Sequence, residues 1–240
     1  MVNPNVDFGI NINPQIPEEP HQVLWIEIPY QGQRTPKGRR PGELTLSADL
    51  VRNERVFVQL AQDVGRAVDW LVRERQVDRS RVGLLGTSLG GFAAATLYGM
   101  HDYRAVTVQL AGGDVAKVLF NGNWLTRDLQ AALVERGLDE DAVRDRLKAM
   151  NPVTWADPAR KDGVLLVAAE LDEIVPLESV RDLRRAYEGA ELIVMAGEEH
   201  RAANGMRATL PKLRAHFERL LLGRDAETAP ETGREPAETR

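Results

Sequence analysis

The sequence contains no cysteine, which excludes disulfides, thiolate zinc sites and a cysteine nucleophile. Aromatic residues make up only 5% of it, but hydrophobic residues of all kinds reach 43% of 240 positions. That is enough apolar side chain for one large domain with a single core. Charge of one sign is also lacking, with 31 Lys and Arg against 36 Asp and Glu, a net charge of −5. No basic field suggests nucleic acid, and no polybasic stretch suggests an anionic membrane. No apolar run is long enough to cross a bilayer. The first twenty residues lack the charged start and apolar stretch of a signal peptide, so the expected location is the cytoplasm. Histidines and carboxylates show no ligand spacing, so neither a metal nor a cofactor is expected.

Residues 1–20 are rich in Asn, Pro and Gln, with a short alternating patch at Val6–Ile12. Residues 223–240 carry Pro, Glu, Thr and Arg with little to bury, and read as a disordered tail. Between these ends, short apolar runs alternate with longer helical patterns. Strands are expected at Val23–Ile28, Val82–Leu85, Ala105–Leu110, Val164–Ala169 and Glu191–Met195. Helices are expected at Leu50–Arg75, Leu89–Met100, Leu125–Arg136, Asp139–Met150, Leu177–Tyr187 and Thr209–Leu222. This alternation predicts an α/β fold, a mostly parallel sheet with helices on both faces. Residues 115–158 fall between two strands as a small helical insertion, a candidate lid.

The strongest local signal is Gly86-Thr87-Ser88-Leu89-Gly90, where a buried strand meets a helix of small residues. A serine on so tight a turn needs small neighbours, and Gly86 and Gly90 are read as serving that need. The turn also places Ser88 at a helix N-terminus, where unpaired N–H groups favour a developing oxyanion. The competing reading is a serine-capped or phosphate-binding turn. A Walker-type loop is disfavoured because no Lys-Ser or Lys-Thr follows.

RVGLLGTSLGG resembles the nucleophile elbow of α/β-hydrolases, and the chain is similar to that superfamily over residues 22–222. The likeness is to esterases of the dienelactone-hydrolase kind. It implies the triad order serine, acid, histidine, each on a loop after a strand. Asp172 in AELDEIVP resembles the acid loop, and His200 in AGEEH resembles the histidine loop. Of the four histidines, only His200 follows a strand C-terminal to both other members. Asp114, on the loop after Leu110, remains a rival acid, since some relatives place it there. The implied reaction is attack by Ser88 on an acyl carbon, with His200 as base and Asp172 orienting the ring. The expected substrate is a small acyl ester, with a peptidase, an acyltransferase or a non-catalytic binding module of the same fold as alternatives.

The resemblance departs from the family at the N-terminus. WIEIPYQGQRTP is similar to a segment in which a strand runs into Pro-Tyr-His-Gly, but Gln31 stands in place of that histidine. Val23–Ile28 then reads as the fold's fourth strand, which makes this an abbreviated hydrolase lacking the first strands. The loop after the third strand normally supplies an oxyanion donor. Its absence leaves the Leu89 N–H as one donor and the Gln31–Gln33 loop as the nearest substitute. Gln33 is assigned to the oxyanion, and Gln31 and Trp124 to substrate. Trp124, Trp155 and Phe120 are candidates to line an acyl pocket.

Overall fold

Four apolar runs form one parallel sheet: β1 Gly83–Thr87, β2 Ala105–Gln109, β3 Val164–Ala169 and β4 Glu191–Met195. They lie side by side in chain order, with Leu85 beside Thr107 and Thr107 beside Leu165. Parallel neighbours need crossovers, and helices supply them. α2 Leu89–Met100 joins β1 to β2, α3 Val115–Phe120, α4 Arg127–Glu135 and α5 Glu140–Arg146 lie between β2 and β3, and α6 Leu177–Ala186 joins β3 to β4, with α1 Leu50–Arg75 before the sheet and α7 Ala203–Phe217 after it. A π turn, Glu218–Leu222, continues α7. The computed structural model describes residues 23–223. The Val6–Ile12 patch and the tail from 224 onward lie outside the described residues.

The sheet is covered on both faces, which is why β3 is apolar at every position. Val164, Leu166 and Ala168 join a cluster with Phe57 and Leu60 of α1, Leu97 of α2 and Leu183 of α6. The alternate residues Leu165, Val167 and Ala169 meet Met206 and Leu213 of α7. Helix α1 starts where the Asp49 side chain accepts the Arg52 N–H. Its buried stripe, Val56, Phe57, Leu60, Val64 and Val68, recurs at helical spacing. Leu119, Leu133, Val143 and Leu147, from the stretch expected as an insertion, are buried in the same cluster as α1 and α2.

Two expectations need correction, and one element is new. Val23–Ile28 is not a strand: no ladder forms there, and Val23, Leu24 and Trp25 are 42%, 42% and 49% exposed. A strand exists through its ladder partners, and among the described residues none lies beside this segment. Its apolar side chains Ile26 and Ile28 pack on the core without it. Helix α3 was not foreseen, since six residues are too few to display a 3.6-residue period; Asp114 caps it by accepting the Ala116 N–H. The last helix begins at Ala203, before the apolar stripe that marked it, and carries Pro211 inside it.

Candidate active site

Thr87 ends β1, Leu89 opens α2, and Ser88 makes the whole turn between them. Its backbone sits at φ 52°, ψ −122°, a conformation that typically costs about 1–3 kcal/mol for a residue with a side chain. Surrounding hydrogen bonds hold it there. The Ser88 N–H donates to Gln109 O (2.8 Å), and Ser88 O accepts from Gly91 (2.8 Å) and Phe92 (3.1 Å). At Gly86 a Cβ would run into the Gly90 carbonyl, and at Gly91 it would come 2.6 Å from the Ala111 Cβ. At Gly90 it would meet nothing. The close approach of strand and helix therefore depends on Gly86 and Gly91, which corrects the role read for Gly90.

The β3 and β4 loops bring the other two groups to the serine. Ser88 Oγ lies 3.0 Å from His200 Nε2. His200 Nδ1 lies 2.8 Å from Asp172 Oδ2 and 3.0 Å from Oδ1. The Asp172 side chain is only 2% exposed, and its Oδ1 accepts the N–H groups of Ile174 (2.9 Å) and Val175 (2.8 Å). These two donors compensate a buried carboxylate and fix its plane toward the imidazole. Asp114 does not take part. One of its oxygens caps α3, at 2.9 Å from the Ala116 N–H, and the other pairs with Arg144. Asp114, with Glu140 and Asp141, raises the Arg144 pKa further above its ordinary value.

The oxyanion candidates divide. As the first residue of α2, Leu89 has no carbonyl one turn back within the helix, and its N–H donates to no main-chain carbonyl among the described residues. The Gln33 N–H donates to Glu27 Oε2 (3.0 Å) and the Gln31 N–H to Ile28 O (3.1 Å). The Gln31 carboxamide lies against Gly42. Neither main-chain amide of that loop is free for an oxyanion. Trp155 is remote: its main chain packs on Gly99, about 16 Å along α2 from the elbow at 1.5 Å per residue. Phe120 packs partly against the main core. Trp124 is 56% exposed and stands beside Glu173, a residue that carried no sequence signal. Burial tends to raise the Glu173 carboxyl, but its own N–H, the Trp124 indole and the His200 N–H outweigh that and leave it below the ordinary value.

Beside Leu89 lies an apolar hollow of ≈ 30 Å³ lined by residues including Ile28, Phe57, Phe92 and Val115. A cavity of ≈ 350 Å³ between Pro29, Tyr30 and the start of α1 contains none of these groups. No group of three His, Asp or Glu that could hold a metal occurs among the described residues. A serine hydroxyl at hydrogen-bond distance from an imidazole that is itself tied to a buried carboxylate can transfer its proton as it attacks an acyl carbon.

Residues 54–221 match the prolyl oligopeptidase family, Peptidase_S9. The chain belongs to that family. Several solved structures share the fold. A puromycin hydrolase superposes with a TM-score of 0.57 at 21% identity, covering 75% of this chain and 28% of its own. An acylaminoacyl peptidase from Pyrococcus horikoshii gives 0.56 at 21%, covering 73% and 30%. TT1662 from Thermus thermophilus gives 0.57 at 21%, covering 80% and 75%. The chain thus spans less than a third of the first two. No protein of curated function matches it in sequence. Family and fold together give this chain the α/β-hydrolase fold. No helix among the described residues is long and apolar enough to cross a membrane.

Proposed function

We propose that this protein cleaves a carboxylic ester of a small acyl substrate through an acyl-enzyme on Ser88. The observation that carries the proposal is the continuous hydrogen-bonded line from Ser88 Oγ through His200 to Asp172. His200 Nε2 takes the Ser88 proton as Oγ attacks the carbonyl carbon, then returns it to the leaving oxygen. Water repeats the sequence to release the acid. Asp172 holds Nδ1 protonated and stabilises the imidazolium. The Leu89 N–H receives the oxyanion.

The preference for an ester over an amide rests on Leu89 being the one candidate main-chain donor left free among the described residues. Removing one oxyanion donor typically costs about 10² to 10³ in turnover, roughly 3–4 kcal/mol. An ester, with its better leaving group, tolerates the deficit where an amide does not. The lack of a second main-chain donor among the described residues is also what favours the rival reading, a non-catalytic binding module.

A fluorophosphonate probe and two chromogenic substrates test the proposal. Ser88 is expected to label, and p-nitrophenyl acetate to be hydrolysed while matched p-nitroanilides are cleaved far more slowly. Ser88→Ala is expected to remove labelling and hydrolysis with the fold intact. An alanine variant that keeps most of the esterase activity rules out Ser88 as nucleophile. An enzyme that cleaves anilides as fast as esters is a peptidase instead.

A further inference from the structure

Two side chains at the mouth of the site have no part in the steps above. Glu173 directly follows Asp172 and is exposed. Trp124 projects from a turn before α4, also exposed. That turn is pinned to the acid loop: Asn121 Nδ2 donates to Ile174 O (2.8 Å) and Glu173 O (3.3 Å). Asn123 braces it from within, its Oδ1 accepting from Leu125 (2.9 Å) and Thr126 (3.0 Å) and its Nδ2 donating to Val118 O (3.2 Å). Indole and carboxylate are thus held together beside His200, and no lysine or arginine among the described residues pairs with Glu173.

We infer that Glu173 and Trp124 form a cation subsite, selecting substrates whose leaving group carries an ammonium centre. The inference rests on the ester-hydrolase reading and names its substrate class. His200 protonates the departing oxygen, so the leaving group departs on the His200 side, the side that Glu173 and Trp124 flank. An aromatic face attracts a cation through its quadrupole, most strongly when the cation is poorly hydrated. The carboxylate adds a Coulomb attraction that bulk solvent weakens and salt screens. A side chain as exposed as Trp124, fixed by a turn with so many internal hydrogen bonds, offers a ready face.

Choline butyrate and 3,3-dimethylbutyl butyrate test this, because they differ only in a charged nitrogen against a neutral carbon. The expected kcat/KM ratio is about tenfold in favour of the choline ester, shrinking as salt rises. Glu173→Gln, which keeps a hydrogen-bond acceptor, and Trp124→Ala are each expected to lower the ratio severalfold. If Glu173 merely braced the His200 loop, both esters would slow together at an unchanged ratio, and the inference would be overturned. Equal rates on the two esters in the unaltered protein overturn it as well. Calorimetric titration of Ser88→Ala with choline separates this inference from the hydrolase reading. Choline binding that Glu173→Gln abolishes, where the unaltered protein turns over neither ester, retains the subsite and discards the chemistry. No choline binding removes the subsite whatever the rates.

Discussion

Two aspartates compete for one histidine, and their partners decide between them. Asp172 has two backbone donors on one oxygen and His200 within reach of both. Asp114 spends one oxygen on the α3 cap and the other on Arg144. Asp172→Asn is therefore expected to lower turnover by about 10⁴, as in a triad whose imidazole is left in the wrong tautomer. Asp114→Asn is expected to leave turnover within a few-fold but to cost about 1–3 kcal/mol of stability, since Arg144 loses the most buried of its three carboxylate partners. Initial rates and urea midpoints on both variants check the pair. A turnover loss that is larger at Asp114 would move the acid to the β2 loop. Ser88, Asp172 and His200 were legible because each has a positional signature: a glycine-flanked turn, and a charged residue at a fixed remove from a strand. Glu173 was not, because an exposed glutamate beside an aspartate has no pattern of its own.

At the scale of elements, the elbow is a strand–helix junction whose tolerance differs sharply between two glycines of one motif. Gly86 faces the Gly90 carbonyl and the Ala94 Cβ, whereas Gly90 faces open space. Gly86→Ala is expected to cost several kcal/mol, on the order of 2–4, because a rigid backbone atom must move. Gly90→Ala is expected to be neutral or to stabilise by up to about 1 kcal/mol, because alanine restricts the unfolded chain and favours helix. Thermal melts of the two variants check the contrast, and equal losses would contradict it. The same scale explains the failed strand at Val23–Ile28. Its alternation suits a sheet, but pairing is a property of two segments, and no described segment lies beside it. Helix α7 shows the converse: sequence marked its apolar stripe, while its true start depends on Met206 reaching the sheet.

Across the whole molecule, the packing of α7 on the sheet buries a histidine. His216 is 4% exposed, and neither ring nitrogen meets a hydrogen-bond partner. Burial, with Arg219 adding like charge, pushes its pKa down from 6.5 to about 4, against a weak opposite pull from the Gly163 and Val106 backbone. Between those two values the unfolded chain takes up a proton that the folded chain refuses. Stability is therefore untouched by this group above pH 6.5 and is lost as pH falls toward 4, by about 2–3 kcal/mol at pH 4.5. His216→Leu is expected to remove that share of the acid sensitivity. Urea unfolding at pH 7 and pH 4.5 measures it, and an equal drop in both proteins would assign the acid loss to other groups.

Sequence by itself determined the alternation of strands and helices, the boundaries of β3 and β4, the long span of α1, and the serine and histidine that meet at the elbow. These are local or periodic features: apolar runs, a 3.6-residue stripe, a small-residue turn and residues set just after strands. Tertiary structure alone decided which aspartate faces His200, which glycine the elbow needs, whether Val23–Ile28 pairs, and whether the Gln31 and Gln33 amides are free. It also placed Trp155 at the far end of α2 and Glu173 beside Trp124. Each of those outcomes depends on a contact between segments far apart in the chain, and a hydrogen-bond donor or a steric gap is consumed or left open only once both sides are in place.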